Sequence, residues 1–418
     1  ASVVGALVLG GGIAGAIVLP RVLPAGSPDG AVEKLLGAAT GLDPLSLAGS
    51  LAPSEISALT GSLERLRDVQ VDGDDDVNVQ KALERLSNAL EVTTEDLEFA
   101  TVTIAEGVER VQIVDGVLEV DGDEDEVIEA YLELLRVQYE LGDMSTNDIE
   151  RSLEYQRSSL ESSLRLPWEL DFREVEGGLG FPLSVVTVQE GAGWYVSPLL
   201  SYADFLYLTA GHYSELPRLG KKIPAAAPAS SAAAAAENTL VAALDTRSRD
   251  YWEELAATLP TAERRLVAIY GPAFGDNPWF WAPDTLELRV ESTRFENAGD
   301  GRTIPGDVTV GWEDGERRTG GEISVDEYCA DWEITSSWYD YYWDDWETST
   351  NRGGGCLAEL PIDLKELGLD APQLLAVNEG GGWLFSPLAT LGDWSATATE
   401  NLVRLSKDGE LDRLVKQR

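Results

Sequence analysis

Residues 188–204, VQEGAGWYVSPLLSYAD, return as residues 377–393, VNEGGGWLFSPLATLGD, at a constant offset of 189 and with nine of the seventeen positions identical. A repeat of this period is longer than a solenoid unit and matches two tandem domains of ordinary size. The chain must therefore contain one building block twice. Within the motif, Gly191 and Gly193, like Gly380 and Gly382, serve a tight turn or a close approach, and Trp194 and Trp383 cover a sheet face. Pro198 and Pro387, each behind a serine, end a strand and open a short closing segment. The motif reads as the closing hairpin of a domain: a fold signature, with no active-site pattern in it.

The stretch at 209–236, rich in Ala, Pro and Ser, reads as a linker between a block at 28–208 and a block at 237–406, and a charged tail follows at 407–418. The alanine run Ala232–Ala236 is placed to start the next helix. Each block opens with helical spacing, through Val32, Leu35, Leu36 and Ala39 in one and Leu240, Val241 and Leu244 in the other. LAPSE at 51–55 is echoed by LPTAE at 259–263, each opening a further helix. Alternation then signals strands. VERVQIV at 108–114, turn Asp115-Gly116 and VLEV at 117–120 predict one hairpin, and GDVTVGW with Glu313-Asp314-Gly315 predicts another. Helices followed by antiparallel strands is an α+β order. Residues 123–139 read as a helix with Val127, Ile128, Tyr131, Leu134 and Leu135 on one face.

No charge precedes Arg21. About 19 apolar residues span a ~30 Å hydrocarbon core as a helix, so residues 1–24 predict a single-pass transmembrane anchor, with Gly11 and Gly15 as its small-residue packing face. Gly10, Gly12 and Gly15 also spell a dinucleotide-binding turn, but Pro20 leaves no room for the crossover helix that reading requires.

Charge narrows the partners. Against 31 Lys and Arg stand 74 Asp and Glu, a formal net charge of −43 that repels phosphate backbones and excludes nucleic acid. Cys329 and Cys356 are the two cysteines of the chain and predict one loop-closing disulfide, hence an oxidising compartment outside the cytoplasm. No Cys-x-x-C pair exists, and His212 is the single histidine, which speaks against zinc or redox catalysis. Asp72, Asp74 and Asp76, and Asp121, Asp123 and Asp125, alternate as calcium ligands do. Neither set has the glycine and the bidentate glutamate of an EF-hand, so acidic turns are the preferred reading.

Between the cysteines runs WYDYYWDDWE, 338–347. As a helix it aligns Trp338, Tyr342 and Trp346 in a stripe, with Tyr339 and Trp343 beside it. Two readings stand. The aromatics are core packing of the second domain, favoured because large exposed aromatic patches are rare in monomers, or they form a surface for a cation-bearing ligand, glycan or protein.

With A-V-E-K-L-L, D-P and L-A-P-S-E at the start and E-G-x-G-W-[YL]-[VF]-S-P-L at the end, the blocks resemble the nuclear-transport-factor-2-like cone folds, in particular the membrane-tethered versions of actinobacterial cell envelopes. The resemblance implies an α+β fold class: an N-terminal transmembrane helix followed by two tandem cone-like domains, helices packed on curved antiparallel sheets. Insertions at 121–165 and 321–358 exceed the usual core. Cone folds host enzymes, carriers and scaffolds alike, and no family catalytic motif matches residue by residue. The expectation is a noncatalytic, cofactor-free protein of the plasma membrane, with its bulk extracytoplasmic, that binds a membrane or envelope protein partner as an accessory subunit. The alternatives are a lipid or small-molecule carrier using the cone cavities, or an isomerase- or dehydratase-like enzyme with a buried carboxyl facing an open cavity.

Overall fold

In each unit an extended Pro-Ala pair leads into a serine-capped helix. The computed structural model describes residues 24–41, 44–58, 85–141, 145–211, 216–275, 286–314, 318–326, 329–340, 344–369 and 373–415. The chain divides into two units, residues 1–214 with 403–408 and residues 215–402 with 409–418.

In the first unit, Ser27 caps α1 (Pro28–Thr40) by accepting from the Gly30 N–H at 3.3 Å, and Pro28 presets the first helical φ. After α2 (Pro44–Ser50), residues 53–58 are also helical. The strands β1 (Leu90–Ala105) and β2 (Val108–Gly122) then pair antiparallel about a turn at Glu106-Gly107. The expected turn at Asp115-Gly116 is instead interior to β2. β1 offers hydrogen-bonding partners on both sides of it, so the ladder runs through. The mismatch is absorbed by a bulge of β1, where Asp96 has φ 49°, and by Gly116 at φ 115°. Beyond that bend β2 pairs with β3 (Trp168–Asp171), whereas its first half pairs with β4 (Leu183–Glu190), which in turn pairs with β5 (Gly193–Val196). Two different neighbours on one edge of a bent strand make the five-stranded sheet curl.

Four more helices follow β2 among the described residues of this unit. The insertion after β2 is a helix pair, α3 (Glu124–Leu141) and α4 (Thr146–Ser163), joined by its own small core of Ile128, Leu132, Ile149 and Leu153. α5 (Phe172–Leu179) leads into β4, and α6 (Pro198–Gly211) closes the unit. The main core sets Ala31 and Val32 of α1 against Val111 and Val196, with Phe99 and Trp194 packed on them.

The second unit repeats this order. Ser231 caps α7 (Ala232–Leu244), accepting from the Ala234 N–H at 3.1 Å. α8 (Tyr251–Ala257), α9 (Thr261–Gly275), β6 (Leu286–Gly299), β7 (Arg302–Asp314), β8 (Thr319–Val325), β9 (Cys329–Asp340), β10 (Asp345–Cys356), β11 (Leu374–Glu379), β12 (Gly382–Phe385) and α10 (Pro387–Lys407) follow. The strand order is β10-β9-β8-β7-β11-β12, with β6 also paired to β7. Again one long strand, β7, meets two neighbours on one edge, β11 through Arg302 and Thr303 and β8 from Val308 onward. Where the first unit inserts two helices, the second extends its sheet by a hairpin.

One part of the expected fold class is corrected. The α+β order with curled antiparallel sheets is present, but among the described residues no helix is long and apolar enough to cross a membrane. The apolar helices α6 and α7 have 14 and 13 residues, about 20 Å each at 1.5 Å per residue, short of a ~30 Å hydrocarbon core. Gly11 and Gly15, assigned to membrane packing, lie outside the described residues.

Candidate functional site

Three of the nine identities in the repeated motif are polar, and all three do the same work in both units. Glu190 ends β4 and accepts from Ser54 N at 3.1 Å and Ser54 Oγ at 2.6 Å; Glu379 ends β11 and accepts from Thr261 N at 3.0 Å and Thr261 Oγ1 at 2.8 Å. Ser197 caps α6 through the Leu200 N–H at 3.1 Å and donates to Glu55; Ser386 caps α10 through the Ala389 N–H at 3.0 Å and donates to Glu263. Asp204 of α6 takes Arg110 Nε and Nη2 of β2 at 2.6 and 2.5 Å, and Asp393 of α10 takes Arg302 Nη2 of β7 at 2.7 Å. Even a non-identical position follows suit: Val186 N donates to Ser201 Oγ and Leu375 N to Thr390 Oγ1, both at 2.9 Å.

The motif is thus a set of crossed ties. A carboxylate at the end of a strand holds one helix N-terminus, where unpaired N–H groups and the helix dipole favour negative charge. A carboxylate in that helical segment holds the N-terminus of the closing helix, since Glu55 also accepts from Leu199 N at 2.9 Å and Glu263 from Leu388 N at 3.3 Å.

The second unit adds a cation to this cluster. Arg264 Nη2 reaches Glu379 Oε1 at 2.9 Å and Thr261 Oγ1 at 2.8 Å, while its Nη1 donates to Leu259 O at 3.0 Å. Burial alone would raise the Glu379 carboxyl, but hydrogen bonds from Thr261 and Arg264 outweigh that and hold it below the usual carboxylate range. Glu263 goes the other way. Burial pushes it up, against the Ser386 and backbone hydrogen bonds, and its Oε2 has no hydrogen-bond partner among the described residues.

The glycines and tryptophans of the motif complete the tie. Gly191 and Gly380 take the left-handed turn at φ 61° and 66°. A Cβ on Gly193 would fall 2.0 Å from Pro24 Cβ, and one on Gly382 would fall 2.7 Å from Pro228 Cβ. Those prolines precede Ala25 and Ala229, which pair with Trp194 and Trp383. Pro198 and Pro387 are the first residues of α6 and α10.

Among the described residues, the hairpin β9–β10 is present in the second unit and not in the first. Its base is closed by the Cys329–Cys356 disulfide, whose cysteines stand directly opposite in the ladder. The first three residues of WYDYYWDDWE therefore end β9 and its last three open β10, so Trp338 and Trp346 do not share a helical stripe. In the ladder Trp346 faces Tyr339, and Trp338 faces Glu347. Alternation puts Trp338 on one face of the sheet and the Tyr339–Trp346 pair on the other. Those two rings meet edge to face with centroids 5.5 Å apart, the Tyr339 hydroxyl donates to Asp344, and Arg318 lies 3.4 Å above the Trp346 ring. Trp338 and Trp346 remain 46% and 45% exposed, so the core reading does not describe them. Tyr342 and Trp343 lie outside the described residues, as do His212, Asp72, Asp74 and Asp76.

Asp121 and Asp123 have local partners. Asp121 accepts from Gly122 N, and Asp123 accepts from Asp125 N and Glu126 N at the start of α3. Trp312, Ile323 and Trp332 sit on the face of Trp338 and are not singled out by composition or motif. The signal for Trp332 is the period-two run Trp332, Ile334, Ser336, Trp338.

No family model matches the chain, and neither a curated protein nor a solved structure is similar to it. The resemblance to the nuclear-transport-factor-2-like folds rests on the sequence motifs alone.

Proposed function

We propose that the chain is a noncatalytic binding protein working outside the cytoplasm, and that its second unit carries the recognition surface on the disulfide-closed hairpin. One observation carries this reading: tryptophans that a core would bury stand about half exposed on both faces of a stapled sheet extension that the first unit lacks. Aromatic side chains held rigidly in solvent are the usual anchors of an interface. The disulfide supports the compartment. The duplicated carboxylates support the noncatalytic reading, because Glu55, Glu190, Glu263 and Glu379 are engaged with helix N-terminal N–H groups.

The test is photo-crosslinking in cells that express the full chain, with a benzophenone amino acid at position 338 or 346 and, as control, at Tyr155, which is 73% exposed on α4 of the first unit. Adducts from the hairpin positions well above those from position 155 are expected. Equal labelling at all three would refute the assignment of the surface.

A further inference from the structure

Two tryptophans of the second unit lie down on the sheet. Gly353 of β10 stands opposite Trp332 of β9, and Gly321 of β8 stands opposite Trp312 of β7. A Cβ on Gly353 would come within 2.4 Å of Trp332 Cζ2, and one on Gly321 within 2.4 Å of Trp312 Cζ2. Each indole is therefore folded across the neighbouring strand with one ring face on bare backbone, which a side chain at either glycine would prevent. Trp332 keeps 39% of its surface in solvent, and Ile323, directly opposite it on β8, keeps 42%. Six residues along β9, about 20 Å at strand rise, Trp338 continues the same face.

Between Trp332 and Trp338 the same-face positions of β9 and β10 are uncharged, with buried Asp314 of β7 at the end of the Ser336 row and Glu347 facing Trp338. Ser336 and Ser349 stand opposite each other, and Asn351 follows at the next same-face position of β10. An aromatic strip flanked by the Glu347 carboxylate, on a chain of net charge −43, selects by charge: polyanions are repelled, and so is a second copy of the chain. Protein partners take interface tryptophans as knobs into pockets. Flat rings instead offer a stacking surface, and the hydroxyl and amide groups between them can hydrogen-bond a polyol.

We infer that the β7–β10 face carrying Trp312, Ile323, Trp332 and Trp338 binds a neutral polysaccharide. The apolar faces of the sugar rings stack on the indoles, and their hydroxyls exchange hydrogen bonds with Ser336, Ser349 and Asn351. The separation of Trp332 and Trp338 spans several sugar rings, so a polymer is bound in preference to a monosaccharide. This assignment rests on the binding reading above and names the ligand class for it.

Native affinity electrophoresis of the full chain tests it, in gels containing hydroxyethylcellulose, xyloglucan, galactomannan or dextran, with anionic alginate as control. At least one neutral polymer is expected to retard the chain, with alginate without effect. Trp332→Ala and Trp338→Ala should each weaken retardation at least fivefold, whereas Tyr155→Ala, on α4 of the first unit, should leave it unchanged. Trp338 and Ser349 are exposed, so Trp338→Ala and Ser349→Asp keep the test open if Trp332→Ala fails to fold. Retardation by none of the four neutral polymers, by alginate alone, or undiminished in Trp338→Ala and Ser349→Asp overturns the inference. If the polymers fail while crosslinks at position 338 persist, a protein occupies the face and only the ligand class falls. If both fail, the binding reading falls with it.

Discussion

Thr261 gives both its backbone N–H and its hydroxyl to one carboxylate, that of Glu379, 118 residues away in sequence. Ser54 does the same to Glu190 across 136 residues. A tie between the first turn of a helix and the end of the penultimate strand is thus what the duplication conserves in chemistry, with Ser exchanged for Thr.

Removing that tie should destabilise the unit that holds it. Glu379→Ala leaves α9 without its acceptor and Arg264, largely buried, without its carboxylate; a loss of about 2–4 kcal/mol is expected. Because Glu379 is held below the usual carboxylate range, its contribution is present at neutral pH and fades as pH falls through its folded value. Urea unfolding at pH 7 and at pH 4 checks this: the deficit of Glu379→Ala should be smaller at the lower pH.

Glu263 carries the opposite sign. Burial raises its carboxyl, so the folded unit binds that proton more tightly than the unfolded chain. Stability from this group is full below the unfolded carboxylate range, about pH 4, and is lost as pH rises through the folded value. Glu263→Gln keeps an oxygen to accept from Ser386 but cannot ionise. Its Tm should match the wild type near pH 4 and exceed it at pH 7; a difference independent of pH would contradict the assignment.

Arg110–Asp204 and Arg302–Asp393 are equivalent pairs in unequal surroundings, with side chains 12% and 1% exposed in the first unit and 29% and 10% in the second. Breaking a buried pair by deleting one partner costs about 3–5 kcal/mol. Asp204→Ala should reach that range and Asp393→Ala should fall below it, each measured as a shift of the unfolding transition of its own unit.

Reducing the Cys329–Cys356 bridge, which spans a sequence separation of 27, should cost the second unit about 3–4 kcal/mol by the chain-entropy model. Thermal unfolding of Cys329→Ser/Cys356→Ser should show the loss in one transition, with the first unit unchanged. Because the staple closes the base of the hairpin, crosslinking at position 338 should fall as well.

Much of the architecture is legible in residue order. The offset of 189, the helix-then-strand order, the glycine turn of the closing hairpin, the serine before each motif proline and the single cysteine pair are all local or additive signals. Local chemistry is enough for them, because a turn needs glycine and a helix start needs a cap whatever surrounds it. Tertiary structure alone decided three things. Asp115-Gly116, a hairpin turn by its residues, stays in a strand because β1 supplies a ladder on both sides. The aromatic run carries helical and strand spacing together, and it is strand because its two ends face each other, Trp338 opposite Glu347 and Tyr339 opposite Trp346, on a hairpin whose base the Cys329–Cys356 bridge closes and whose other edge pairs with β8. The carboxylates of the motif look alike as letters; which helix end or arginine each one meets depends on residues 91 to 136 positions away. Pairing across such distances is set by the packing of helices on the curled sheets, which no local pattern encodes.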